Sequence, residues 1–126
     1  MGTIRGFVAL VDDEESVRRA LKRLLRVAEF EVETFASGAE FLSSLKWRRP
    51  DCVIVDVHMP GMTGLDLLLE LRSAHAGLPA ILVTAFDDPD FALRAKRAGA
   101  YRFLRKPIAS EKLIEAVQAA IGWGNT

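Results

Sequence analysis

The hydrophobic and polar positions of this chain fall into two alternating periods. Phe7-Val8-Ala9-Leu10-Val11, Val53-Ile54-Val55 and Ala80-Ile81-Leu82-Val83 are apolar runs without alternation, the pattern of strands covered on both faces in a parallel sheet. Between them the period becomes helical. Val17, Ala20, Leu21, Leu24, Leu25 and Ala28 form one stripe, and Arg18, Arg19, Lys22, Arg23 and Arg26 line the other side. Glu31-Val32-Glu33-Thr34-Phe35-Ala36 alternates, as a half-exposed edge strand does. Ser37-Gly38-Ala39-Glu40 has the spacing of a capping box and opens a short helix through Phe41, Leu42 and Leu45.

Thr63-Gly64-Leu65-Asp66 reads as another cap, with Leu65, Leu68, Leu69 and Arg72 continuing a helix to about Ala74. Asp87-Asp88-Pro89 predicts a helix from Pro89 to Ala98, with Gly99 as its C-terminal cap. Tyr101–Arg105 is a fifth strand. A last helix is expected from a Ser110 cap, burying Leu113, Ile114, Val117 and Ile121, with residues 121–126 as a flexible tail. Strands alternating with helices through short connections predict a doubly wound α/β sandwich, a flavodoxin-like five-stranded parallel sheet in the order 2-1-3-4-5 with five helices.

Composition narrows the class. At 126 residues the chain is one domain, half of it hydrophobic and 27% charged, which excludes disorder. Seventeen basic and seventeen acidic residues cancel, so no whole-chain nucleic-acid footprint is expected. The single Cys52 fits a buried apolar role in a reducing cytoplasm. No apolar run is long enough to span a membrane, and the start of the chain lacks a leader pattern. A cytoplasmic protein with no membrane contact is expected.

The candidate chemistry lies at strand ends. In a doubly wound sheet all carboxyl ends open on one side, where ligands bind. Those ends carry Asp12 and Asp13 after the first strand, Asp56 after the third, Thr84 after the fourth and Lys106 after the fifth. Each has a quiet explanation, since Asp is a common turn residue and acids favour a helix N-terminus. Together they change the picture. Three carboxylates repel unless a cation intervenes, and an all-oxygen set suits a hard ion such as Mg²⁺. A carboxylate nucleophile beside a divalent ion, with a hydroxyl and an ammonium to hold oxygens, is equipment for phosphoryl transfer.

Four motifs carry a resemblance: Val11-Asp12-Asp13, Val55-Asp56-Val57-His58-Met59-Pro60-Gly61-Met62-Thr63-Gly64, Val83-Thr84-Ala85 and Arg105-Lys106-Pro107. On these the sequence resembles the CheY-like receiver domains of bacterial two-component response regulators, over nearly its whole length. The run Phe-Leu-Arg-Lys-Pro-Ile resembles receivers that precede helix-turn-helix output domains. The resemblance implies that Asp56 accepts a phosphoryl group from a sensor histidine kinase or a phosphotransfer protein. It implies that Asp13, Asp56 and the backbone carbonyl of His58 bind Mg²⁺ (or Mn²⁺), with Asp12 acting through water. Thr84 and Lys106 would hold the phosphoryl oxygens, and Phe103 would be the switching aromatic. The Lys106–Pro107 bond is cis in the family. His58 and Phe86 hold the family's rate-tuning positions, and a bulky Phe86 would prolong the phosphoform by hindering water. Output would pass through the face of the fourth helix, fifth strand and fifth helix, to a downstream protein or a second copy, without direct nucleic-acid contact.

Two other functions share the fold class or use similar groups. A flavodoxin-like cofactor binder needs a phosphate cradle after the first strand, where Asp12-Asp13-Glu14-Glu15 would repel phosphate. An aspartyl-phosphate phosphatase wants an acid two residues past its nucleophile, and His58 stands there.

Overall fold

The computed structural model describes residues 5–85 and 89–124. Its elements run in the order β1 Phe7–Val11, α1 Glu15–Val27, β2 Glu31–Phe35, α2 Gly38–Ser44, β3 Cys52–Asp56, α3 Gly64–Ala74, β4 Ala80–Thr84, α4 Pro89–Arg97, β5 Arg102–Arg105 and α5 Ser110–Gly124. All strand pairs are parallel and the sheet order is β2-β1-β3-β4-β5, as the apolar runs predict.

Why those runs lack alternation is visible in where successive residues go. Ala9, Val11, Val53, Val55 and Leu82 join Phe41, Leu67, Leu71 and Ala95 in one buried layer under α2, α3 and α4. Val8, Leu10, Ile54, Ile81 and Val83 join Leu25, Leu113, Ala116 and Val117 in the other, under α1 and α5. Strand side chains alternate faces, and here both faces are dry. The Cys52 thiol lies in the second layer, and burial foremost, with the Asp51 charge, pushes its pKa up to about 12. It is an inert core residue.

Local signals set most boundaries. Thr63 and Asp66 form a reciprocal capping box at α3. At α2 only half of the expected box forms. Ser37 Oγ accepts from the Glu40 amide, but Glu40 Oε2 accepts from Ala36 N, one residue further out. Gly99, at φ 98°, follows α4, and the Ala100 amide reaches back to the Ala95 carbonyl, as a C-terminal cap requires.

Several packing details differ from the sequence expectation. The buried stripe of α3 is Leu67, Leu68 and Leu71, while Leu69 is half exposed. In α1, Ala20 faces solvent and Arg18 takes an inward place, because its guanidinium bonds the Asp12 carbonyl. Ser110 is already helical, with the Ala109 carbonyl accepting from Lys112 and Leu113. Helix α5 continues through residues 121–124, so the expected tail is helical there. Ile121 packs against the second core layer and holds that turn. Trp47 and Trp123, as large aromatics, are expected from the sequence to cap core edges, but Trp47 is 88% exposed. The expected cap at Asp87-Asp88, Phe86 and the Trp123 side chain lie outside the described residues.

Candidate phosphoryl-transfer site

Register brings the strand ends together. Val11 pairs with Val55 and Asp56 with Val83, so the residues that follow β1, β3 and β4 emerge side by side. Asp12, Asp13 and Asp56 each offer a carboxylate oxygen, all within 4.8 Å of one another. Asp12 and Asp56 are only 2% and 6% exposed, while Asp13 is open to solvent. Thr84 is buried beside them at the end of β4. The Lys106 ammonium completes the group, 3.6 Å from Asp12 Oδ2 and 3.8 Å from Asp56 Oδ1. Its backbone amide is tied to the Thr84 carbonyl, and the peptide to Pro107 is cis.

Fixed contacts hold the acids in place. Asp12 Oδ1 accepts from Glu14 N, and Asp12 O accepts from Arg18. Asp56 Oδ1 accepts a long 3.4 Å bond from the His58 amide. Beyond Asp56 the chain is pinned twice, Val57 N to Val83 O and Gly64 N to Val57 O. That second bond needs Gly64. A Cβ there would lie 2.6 Å from the Asp56 carbonyl oxygen and 2.7 Å from Val57 Cα, against backbone that cannot yield cheaply. Gly64→Ala is therefore expected to push α3 away from the end of β3 and lower Tm by roughly 5–10 °C. An unchanged melting curve would show that α3 shifts freely.

Burial is the main reason that the Asp56 carboxyl titrates above its ordinary value of 3.8. The Asp12 charge adds to it, and Lys106, the His58 amide and finally Asp13 follow as smaller influences of mixed sign. An acid so placed benefits from a cation. With all four groups ionised, three carboxylates and one ammonium leave two negative charges, which one divalent ion cancels. Two oxygens bound to one Mg²⁺ at about 2.1 Å lie no more than about 4.2 Å apart. A set within 4.8 Å meets that limit with a small rotation, or with one acid holding the ion through water. The donors are all oxygen. The residues fit a hard divalent cation.

Of the other predicted residues, Phe103 is partly buried against the first core layer. Its ring centroid is 5.8 Å from that of Phe91 on α4. His58 lies on the β3–α3 loop with its Nε2 3.2 Å from Thr84 Oγ1. Phe86 lies outside the described residues. Sequence reasoning missed Arg18, Gly64 as a contact point and Phe91. Only Gly64 had a signal, its place in the Thr63 cap.

A profile of the response regulator receiver domain matches residues 8–118. The chain is 41% identical over 117 residues to the DNA-binding transcriptional regulator NtrC of Escherichia coli strain K12, covering 93% of this chain and 25% of that protein. It is 35% identical over 114 residues to the response regulator protein TodT of Pseudomonas putida strain F1, covering 90% of this chain and 50% of that one. Thus it spans a quarter to half the length of these curated relatives. Its fold superposes on a crystal structure of a response regulator receiver domain protein from Clostridium thermocellum. There the TM-score is 0.87 and the identity 32%, with 92% of this chain and 94% of that one covered.

Proposed function

The chain belongs to the response regulator receiver family and has that family's phosphoacceptor part in two-component signalling; from this premise we propose that Asp56 is the residue phosphorylated. One observation carries the assignment. Asp56 ends β3 almost buried, with Asp12 and Asp13 oxygens within 4.8 Å and the Lys106 ammonium 3.8 Å away. A carboxylate in that company is a nucleophile with its charge partners already positioned.

Asp13, Asp56 and the His58 carbonyl would hold Mg²⁺ (or Mn²⁺), and Asp12 would do so through water. When bound, the ion neutralises charge on the transferring phosphoryl group. Asp56 attacks the phosphorus of a phosphohistidine on a sensor kinase or phosphotransfer protein. Its Oδ–P bond forms as the imidazole N–P bond breaks. Lys106 and Thr84 donate to the phosphoryl oxygens, and the same groups serve the chain's own later hydrolysis of the acyl phosphate. No other substrate is turned over.

The new charge brings phosphoryl oxygens that Thr84 and Lys106 can reach. As Thr84 turns toward them, Phe103 gains room to rotate and the α4–β5–α5 face changes. Moving a population from 1:99 to 99:1 takes about 5.5 kcal/mol of preference. That face is rich in cations, and Arg94, Lys96 and Arg97 also suit the negative end of α4. A downstream protein or a second copy would read it. We assign nucleic-acid contact to none of this chain's residues; NtrC's being DNA-binding concerns that whole protein, of which the chain covers 25%. Among the described residues no helix is long and apolar enough to cross a membrane; the cytoplasmic setting rests on the receiver family's part in two-component signalling.

Acetyl phosphate with Mg²⁺ should add one phosphoryl group by intact mass, and none with EDTA. Mg²⁺ alone should raise Tm, since about 2.7 kcal/mol accrues at a hundred times Kd. Asp13→Asn should remove most of that rise. Labelling that proceeds equally in EDTA would overturn the metal's part.

A further inference from the structure

The Thr84 hydroxyl is hydrogen-bonded to a side chain that is assigned no hold on the phosphoryl group or the metal, and that side chain leads to α4. His58 Nε2 lies 3.2 Å from Thr84 Oγ1 across a sequence gap of 26 residues. The imidazole also stands beside α4. Its centroid is 6.3 Å from that of Phe91, at an interplanar angle of 37°. Phe91 in turn stands 5.8 Å from Phe103, tilted 38°. Three rings thus form a row from the β3–α3 loop through the first turn of α4 to β5, with the switching hydroxyl attached at one end. Ring centroids at 4.5–7 Å are the separations at which aromatic pairs interact.

From this we infer that His58 is a positioning residue that couples Thr84 to α4 through Phe91, so that α4 responds to Thr84 without depending on Phe103. This rests on Thr84 being the residue that follows the phosphoryl group. A hydroxyl donates one hydrogen bond and accepts two. With the proton on Nε2, Thr84 accepts from the imidazole and can still donate to a phosphoryl oxygen, so the ring is drawn with the hydroxyl as it moves. A shift of the imidazole changes its packing on Phe91, the second residue past Pro89 in the first turn of α4. The first turn is where a lateral push acts on a helix with least resistance from its own hydrogen bonds. Arg94, whose guanidinium carbon lies 5.2 Å from the Phe91 ring centroid, would carry the displacement to the charged surface of α4.

Two substitutions separate the halves of this link. His58→Gln keeps a polar atom near the Nε2 position but removes the ring. His58→Phe keeps the ring but removes the bond. The probe needs no phosphorylation: Thr84→Val, with NMR shifts of the Phe91 ring and the Ala92 and Ala95 amides as readout. In the parent background Thr84→Val should shift these resonances. In the His58→Gln and His58→Phe backgrounds that response should be lost, while β4 and β5 neighbours of residue 84 still respond. A Phe91 response that persists in both backgrounds, or is missing in the parent, overturns the coupling. Repeating the readout with acetyl phosphate and Mg²⁺, with labelling followed by mass, keeps the two proposals apart. Absent labelling of the parent would overturn the assignment of Asp56, whereas labelling with an unaltered Phe91 response in both His58 variants would overturn only the role of His58.

Discussion

Asp56→Asn is expected to abolish labelling by acetyl phosphate in the presence of Mg²⁺. The amide has nearly the shape of the carboxylate but neither its charge nor its nucleophilic oxygen, so the fold should survive the loss of chemistry. Stability gives an independent reading. Because the Asp56 carboxyl is raised above 3.8 in the folded chain, chiefly by burial and then by Asp12, its ionisation opposes folding. The stability it contributes is fully present below its unfolded value and is lost as pH rises through the raised folded value. Without divalent ions, Asp56→Asn should then melt higher than the parent at neutral pH, and the gap should close as pH falls below about 4. Undiminished labelling of the variant would remove Asp56 as the acceptor. A variant that melts lower at every pH would show that contacts of the carboxylate outweigh its desolvation.

Lys106→Met should slow labelling by roughly a hundredfold or more at saturating Mg²⁺, the loss that follows removal of one preorganised charge donor from a developing anion. Methionine keeps the apolar stem and deletes the ammonium 3.6 Å from Asp12 and 3.8 Å from Asp56. The same deletion takes away the main influence holding the Asp56 carboxyl down, so its titration should move further upward. Lys106→Arg should recover only part of the rate, because a planar guanidinium does not occupy the place of a compact ammonium. A Lys106→Met rate within twofold of the parent would mean that the ammonium does not reach the phosphoryl oxygens.

Much of the fold was legible because both faces of the sheet are covered. That makes Phe7–Val11, Val53–Val55 and Ala80–Val83 unbroken apolar runs that no surface element would show. The site was legible for a related reason: charged and hydroxyl residues placed directly after such runs must emerge at the carboxyl edge, and parallel order puts all of these edges together. What escaped depended on long-range partners. The phase of α3 was read one position off because every residue from Leu67 to Leu69 is leucine, and only packing distinguishes them. Arg18 looked like one of five solvated cations until its guanidinium reached the Asp12 carbonyl. Residues 122–124 lack helix formers, yet Ile121 anchors the turn that carries them. Nothing local marks the His58–Thr84 bond, since one residue lies on the β3–α3 loop and the other ends β4, and only the sheet register brings them together.

The central claim is that one carboxylate, Asp56, takes the phosphoryl group with a divalent ion beside it. It is tested most directly by locating the modification in the parent protein. After reaction with acetyl phosphate and Mg²⁺, borohydride reduces an aspartyl phosphate to homoserine, which peptide mass spectrometry places to a single residue. The expected product is homoserine at position 56 and nowhere else, disappearing when EDTA replaces Mg²⁺. Homoserine at position 12 or 13, or a phosphoryl group on His58, would contradict it.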